Sequence, residues 1–259
     1  MGARDLVYKV YERRLVADLA DGPVPQHVGV ILDGNRRFAR ERGLSGPAEG
    51  HVAGARHIDL FLDWCLELGI PYVTLWLLST DNLARDDAEV ADLLQIIEDT
   101  VERMGCGDQA ARRGLKVTAV GALELLPEET RGALRRAEAA TVDHDRLRVQ
   151  VAVGYGGRQE ITDALRSLLR ERAEKGMSLA EVAETLEPAD IGDHLYTTGL
   201  PDPDLIIRTS GEVRLSGFLM WQSAHSEYYF CDTYWPEFRK VDFLRALRDY
   251  GRRTRRFGR

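Results

Sequence analysis

Apolar residues recur along this chain in two alternating patterns. Runs of four to seven residues rich in Val, Ile and Leu are separated by longer stretches with apolar positions every three or four residues. The first pattern marks buried strands and the second amphipathic helices. Residues 3–20 read as a helix with Leu6, Val7, Val10, Tyr11, Val16 and Leu19 close to one face, ended by Pro23 and Pro25. Residues 27–33, HVGVILD, read as a strand entering a loop at Gly-Asn-Arg-Arg. A helix over 50–68 stops at Gly69 and Pro71, and a second strand spans 72–78. A helix over 86–104 opens on acidic residues, a third strand covers 116–120, and Pro127 starts a helix over 128–140. A strand over 148–153 ends in Gly-Tyr-Gly-Gly-Arg, and helices follow over 158–174 and 178–186. Short strands at 205–208 and 227–230 precede a closing helix that starts at Val241.

Strands alternating with helices imply βαβ crossovers. The expected fold is α/β, one domain with a largely parallel six-stranded sheet flanked by helices. Residues 1–26 would form an N-terminal helix and linker, and 27–259 the main domain. In such sheets ligands sit at the carboxyl ends of strands. The unusual residues fall there: 33–37, 79–85 and 208–216 each follow a strand.

Composition narrows the class. With 44% hydrophobic residues in 259, the chain can bury a sizeable core. No apolar run approaches the roughly 18 to 20 residues of a membrane span. The charged N-terminus does not resemble a secretory signal, and Leu6 breaks the myristoylation pattern. Three distant cysteines, Cys65, Cys106 and Cys231, imply neither a disulfide framework nor a metal knuckle, which suits a cytoplasmic setting. A net charge of −7 argues against a nucleic-acid partner. The charge is uneven, because residues 251–259 carry five arginines.

Three clusters carry candidate chemistry. Asp33 ends an apolar strand, Gly34 lets the backbone approach a ligand, and Asn35, Arg36, Arg37 and Phe38 open a short helix. Two arginines there make an anion site, and the adjacent Asp makes sense if a divalent cation bridges carboxylate and phosphate. A helix cap with surface arginines reads the same residues without a ligand. In residues 208–216, Arg208 and Arg214 flank a Gly-containing loop with hydroxyl groups, a good match to diphosphate oxygens. Glu212 is the one acidic neighbour in that stretch, a poor basis for an ion-pair network. The third cluster, residues 78–85, reads as a turn when taken alone. His51 opens a helix, and His57 does not share its face. Gly154 to Arg158 is neither a dinucleotide fingerprint nor a P-loop, and Asp86, Asp87 and Glu89 are explained by the helix dipole.

In chain order, HVGVILDGNRRFAR, LLSTDNLAR, VGYGGR, LYTTGLPDPDLIIRTSGEVRLSGFLMWQSAHSEYYF and the terminal RRFGR resemble the cis-prenyltransferase (undecaprenyl diphosphate synthase-like) family. The resemblance covers residues 27 to the end. It implies that 27–259 is a catalytic domain with a hydrophobic tunnel, and that the enzyme condenses isopentenyl diphosphate with an allylic diphosphate to form a cis-prenyl diphosphate. It also implies a Mg²⁺ cofactor and a homodimer with at most peripheral membrane contact. By this likeness Asp33 would hold Mg²⁺, with Glu227 as a second carboxylate. Gly34, Asn35, Arg36, Arg37 and Phe38 would cradle the allylic diphosphate. Arg208, Arg214, Leu215 and Ser216 would take isopentenyl diphosphate. His51, Ser79, Thr80, Asp81, Asn82, Leu83 and Arg85 would lie near the reacting groups, with Asn82 orienting the proton acceptor. Arg256 and Gly258 match a terminal Arg-x-Gly that reaches the partner's site.

Departures from the family pattern bear on the product. Pro47 stands where a phosphate-binding Arg is usual, Leu83 where Trp is common, and Gly217 where Asn is common. Leu77 is large where long-chain relatives often carry a small residue. An inward-pointing Leu77 would shorten the tunnel, because a packed core makes room at a cost. The expected product is therefore short, such as C15 cis,trans-farnesyl diphosphate from geranyl diphosphate. The alternatives are a C35 to C55 carrier-lipid synthase, a non-catalytic prenyl diphosphate-binding partner subunit, and head-to-middle coupling of two dimethylallyl units.

Overall fold

The structure is a computed structural model that describes residues 3–19, 22–106 and 108–253. In chain order it contains α1 (Ala3–Leu19), β1 (His27–Ile31), α2 (Asn35–Glu41), α3 (Pro47–Glu67) and β2 (Tyr72–Trp76). Then come α4 (Asp87–Gly105), α5 (Asp108–Arg113), β3 (Leu115–Val120), α6 (Glu128–Ala140) and β4 (Leu147–Ala152). Helices α7 (Gly157–Glu174), α8 (Leu179–Thr185) and α9 (Pro188–Gly192) precede β5 (Leu205–Arg208), β6 (Glu227–Phe230) and α10 (Lys240–Arg252).

The six strands form one sheet in the order β3-β4-β2-β1-β5-β6, and every pairing is parallel. The order reverses direction at β1, so the loops after β1, β2 and β5 meet above the sheet centre, where ligands bind in this architecture. The β1 strand is buried along its whole length, as its continuous apolar run requires. The larger core lies under α3, α4, α6 and α10 and includes Phe61, Leu75, Val101, Val149 and Phe243. A smaller aromatic core on the other side gathers Tyr155, Phe218 and Leu219 with Trp76 stacked on Phe218 at 5.1 Å.

Most expected elements appear within two or three residues of their sequence bounds. Helices α5 and α9 are additions; each is six residues or fewer, too short for periodicity to register. The expected face of α1 is corrected. Leu15 and Leu19 are buried and Tyr8 and Tyr11 pack against the core, whereas Val10 is 60% exposed and Val16 40%. The hydrogen bonds from Arg239 and Arg245 of α10 to the Tyr8 and Tyr11 hydroxyls orient that face. Among the described residues no helix is long and apolar enough to cross a membrane.

Candidate active site

Strands β1 and β2 end two residues earlier than their apolar runs suggest, and the residues left over build the site. After Ile31 the chain turns, with the Asp33 amide donating to the Ile31 carbonyl (2.9 Å) and to Thr209 Oγ1 (3.0 Å). Thr209 donates back to the Asp33 carbonyl at 2.7 Å, which ties the end of β1 to the end of β5. Gly34 follows with φ of 106°, in the left-handed region. A Cβ there would stand 2.7 Å from the Tyr234 ring, so side chain and conformation both exclude other residues. Helix α2 then runs close against α3, where Gly54 leaves room for Asn35; a Cβ at Gly54 would lie 2.4 Å from Asn35 Oδ1.

The parallel register that pairs Ile31 with Arg208 sets Asp33 beside the Arg208 guanidinium. Arg208 is 5% exposed, and its Nη2 donates to Asp33 Oδ2 at 2.8 Å. Its Nη1 donates to the Arg214 carbonyl (2.5 Å) and Ser216 Oγ (2.8 Å), so Arg208 also shapes the following loop. Arg37 Nη2 donates to Ser210 Oγ at 2.6 Å and lies 3.6 Å from Asp33 Oδ2. Burial pushes the Asp33 pKa up, but hydrogen bonds from Arg208 and Ser210 and the charges of Arg208 and Arg37 outweigh it. The group stays below the ordinary carboxylate range and is ionised. Glu212 bridges Arg37 and Arg214, so the ion-pair network that one acid was expected not to support does form.

After β2 the chain forms a 3₁₀ turn over Thr80–Ala84. Ser79 and Asn82 cap each other: the Ser79 amide donates to Asn82 Oδ1 and the Asn82 amide to Ser79 Oγ, both at 3.1 Å. With three residues per turn, Ser79, Asn82 and Arg85 share one face, and all three line the cavity. The turn rests on Tyr155, whose carbonyl accepts from the Thr80 amide at 3.1 Å. The Tyr155 hydroxyl donates to fully buried Glu160 at 2.5 Å, which fixes this support from below. Opposite stands His51 of α3, whose pKa falls to about 4 through burial and the charges of Arg85 and Arg36, with Glu89 opposing them. His51 is therefore neutral, and its buried Nε2 has no protein partner.

These groups surround a cavity of about 760 Å³. Its polar mouth holds Asp33, Gly34, Asn35, Arg36, Arg37, His51, Ser79, Asn82, Arg85, Arg208 and Ser216, all anticipated from the sequence. Its apolar floor holds Leu32, Leu77, Leu78 and Leu93. Leu77 and Leu93 also border a second space of about 50 Å³ between α3 and α4, lined by Ile58, Ile96 and Ile97. Leu32, Asn35, His51, Leu77 and Leu93 line both spaces, so Leu77 lies where the large cavity adjoins the small one.

Six expected contacts do not line the cavity. Phe38 faces away on α2, under the Arg42 guanidinium at 6.0 Å. Thr80, Asp81 and Leu83 lie off the 3₁₀ face; Asp81 is exposed and Leu83 packs on the core. Arg214 is exposed on its Glu212 pair, and Leu215 packs against the aromatic core. Glu227 is a further correction: it is in register with Leu205, at the amino end of the sheet, while Asp33 lies past the carboxyl end. It pairs with Arg253 at 2.6 Å and does not meet Asp33 within the chain. Parallel register alone separates them, and spacing along the sequence carries no such information. Arg256 and Gly258 lie outside the described residues.

Two features beside the mouth were not anticipated. Glu89, expected only as a helix-dipole acid, bridges Arg36 and Arg85, at 3.7 and 2.7 Å. Arg40 lines the mouth one turn beyond Arg36, a spacing that could have indicated it.

Among the described residues no group of three or more His, Cys, Asp or Glu side chains is placed to hold a metal ion. A single ionised, 29% exposed Asp33 carboxylate nevertheless fits Mg²⁺, which keeps waters and binds through one or two carboxylates plus substrate phosphates.

A sequence profile described as "Putative undecaprenyl diphosphate synthase" matches residues 31–258. A (2Z,6E)-farnesyl diphosphate synthase of Thermobifida fusca is 60% identical over 252 residues, 97% of each chain. An isoprenyl transferase of Thermus thermophilus is 52% identical over 253 residues, 98% of this chain and 96% of the other. The crystal structure of lavandulyl diphosphate synthase from Lavandula x intermedia, in complex with dimethylallyl diphosphate, superposes with a TM-score of 0.82 at 33% identity, covering 91% of this chain and 99% of that one.

Proposed function

The chain belongs to the undecaprenyl diphosphate synthase family of cis-prenyltransferases, and from that premise we propose that it is a short-chain synthase adding isopentenyl diphosphate to geranyl diphosphate to give a C15 cis,trans product. The observation that carries the short product is the confined space beside Leu77. Only about 50 Å³ is open in the inner space that Leu77 borders, against about 760 Å³ in the outer cavity. The likeness to the Thermobifida fusca farnesyl diphosphate synthase supports the same reading.

The allylic diphosphate sits at Gly34, Asn35, Arg36 and Arg37, with its chain over Leu77 and Leu93. Isopentenyl diphosphate sits at Arg208 and Ser216, facing Ser79 and Asn82. Asp33 would hold Mg²⁺, which when bound would supply positive charge to the leaving pyrophosphate. Arg37 adds a guanidinium donor to the same oxygens as the allylic C–O bond breaks, while Arg208 holds isopentenyl diphosphate beside it. The isopentenyl double bond attacks the electron-poor carbon, and loss of one proton completes the new alkene. Asn82 Oδ1 is already engaged by the Ser79 amide, so Asn82 meets the substrate through its Nδ2 as a donor. It orients a phosphate oxygen or water that takes the proton. Neutral His51 offers Nε2 to the same oxygens.

A homodimer in the cytoplasm is part of this proposal. Exposed Leu165 and Leu169 on α7, with exposed Met220 against the start of that helix at Gly157, support an apolar contact between copies. Light scattering of purified protein tests it; a monomer at micromolar concentration would remove it.

Mass analysis of products from isopentenyl diphosphate and C5, C10 or C15 primers with Mg²⁺ tests the whole reading. A C15 product from the C10 primer is expected. Chains of C35 to C55 would favour a carrier-lipid synthase, no incorporation a partner subunit, and turnover of dimethylallyl diphosphate alone a head-to-middle coupling.

A further inference from the structure

Five guanidinium groups line the cavity, and four of them are committed to carboxylates. Arg208 pairs with Asp33, Arg37 with Asp33 and Glu212, and Arg36 and Arg85 with Glu89. The fifth, Arg40, is exposed and has no carboxylate partner among the described residues. It stands in the last turn of α2, four residues beyond Arg36 and so on the same face. Leu44, Gly46 and Pro47, in the segment that follows α2, also line the cavity and carry no charge.

We propose that Arg40 is a substrate-binding residue that captures the outer phosphate of the allylic diphosphate at the cavity mouth. The proposal rests on the prenyl-transfer reading. The paired arginines must loosen an existing ion pair before they can take a phosphate, which offsets part of what they gain. Arg40 has no such exchange to make, so its positive charge is fully available to an arriving anion. Its place at the far end of α2 from Asp33 separates it from the oxygen where charge develops. It binds ground state and transition state alike, and therefore governs KM rather than kcat.

Arg40→Gln removes the charge and keeps a shorter polar side chain, and no ion pair among the described residues is lost with it. In Mg²⁺-dependent assays the KM for geranyl diphosphate should rise about threefold to tenfold, as suits a partly solvated ion contact, with kcat and the KM for isopentenyl diphosphate changed less than about twofold. Calorimetric binding of inorganic diphosphate, which needs no turnover, should weaken in step. Arg40→Lys should recover most of the loss, and Arg56→Gln on the exposed side of α3 should change nothing. Unaltered KM and diphosphate affinity in Arg40→Gln would overturn the proposal, as would an equal rise in both KM values. If the wild-type protein transfers no prenyl group while Arg40→Gln still weakens diphosphate binding, the reaction assignment fails and the anion site stands.

Discussion

Arg208 Nη2 lies 2.8 Å from Asp33 Oδ2, and this contact joins the two halves of the cavity mouth. Arg208 is buried at the end of β5 and Asp33 is part-exposed past the end of β1, so the pair sets a carboxylate in the cavity with its charge kept. The same carboxylate is the acid to which the proposed function assigns Mg²⁺. Asp33→Asn should lower kcat at least about a hundredfold, through loss of charge at the metal and phosphate position. It should also lower the unfolding free energy by about 1–3 kcal/mol, because the buried Arg208 guanidinium loses its counter-charge while Asn still accepts its hydrogen bond. Isopentenyl incorporation and urea denaturation of the same sample check both parts. Retained Mg²⁺-stimulated turnover would remove Asp33 from the metal site.

Leu77→Ala should lengthen the product. The side chain borders both the outer and inner spaces, so its loss joins them. Leu77 is only half-buried, and the stability cost should be about 1–2 kcal/mol, below that of a fully buried leucine. Mass analysis that returns C15 alone would take Leu77 out of length control.

Asn82 does two jobs that substitution can separate. Asn82→Asp keeps an oxygen for the Ser79 amide but loses the Nδ2 donor and sets negative charge beside the diphosphates. It should fold normally and turn over at least about tenfold more slowly, with a raised KM for isopentenyl diphosphate. Asn82→Ala also loses the cap, at about 1 kcal/mol. Equal stability of the two variants would contradict the reciprocal cap.

His51 predicts a pH dependence of stability. Its folded-state pKa of about 4 lies below the ordinary value of 6.5. As pH falls from 6.5 towards 4 the unfolded chain takes up this proton first, and the native state loses stability across that window. Above 6.5 the contribution is fully present, at roughly 3 kcal/mol from the separation of the two values. Replacing His51 with Gln should flatten the slope between pH 6.5 and 4 in thermal melts at stepped pH. An unchanged slope would mean that His51 is charged in the native state.

The chain order of strands and helices was readable because burial imposes a period on the residues themselves. Val28, Val30, Val73 and Leu75 are apolar in any arrangement that buries them, so β1 and β2 appear in the sequence before any partner is known. The clusters at 33–37, 79–85 and 208–216 were readable for a related reason: charge and Gly directly after an apolar run mark a strand end. What could not be read was which side chains in those clusters face inward. Phe38 and Arg40 are two residues apart, and only the seating of α2 against α3 turns one away and the other to the mouth. Asp81 and Asn82 are adjacent, and the 3₁₀ pitch decides between them.

The sequence by itself determined the family, the parallel α/β layout and the concentration of phosphate-binding chemistry at strand ends, because those features follow from local composition and order. Tertiary structure alone decided three matters. It separated Glu227 from Asp33, since register in a parallel sheet places residues at one end or the other regardless of residue type. It paired Arg208 with Asp33, Arg37 with Glu212 and Arg36 with Glu89, and left Arg40 without a carboxylate partner among the described residues, since each of these pairs joins residues distant in sequence. It set Leu77 on the border of an inner space, because the space between α3 and α4 exists only once both helices are packed on the sheet.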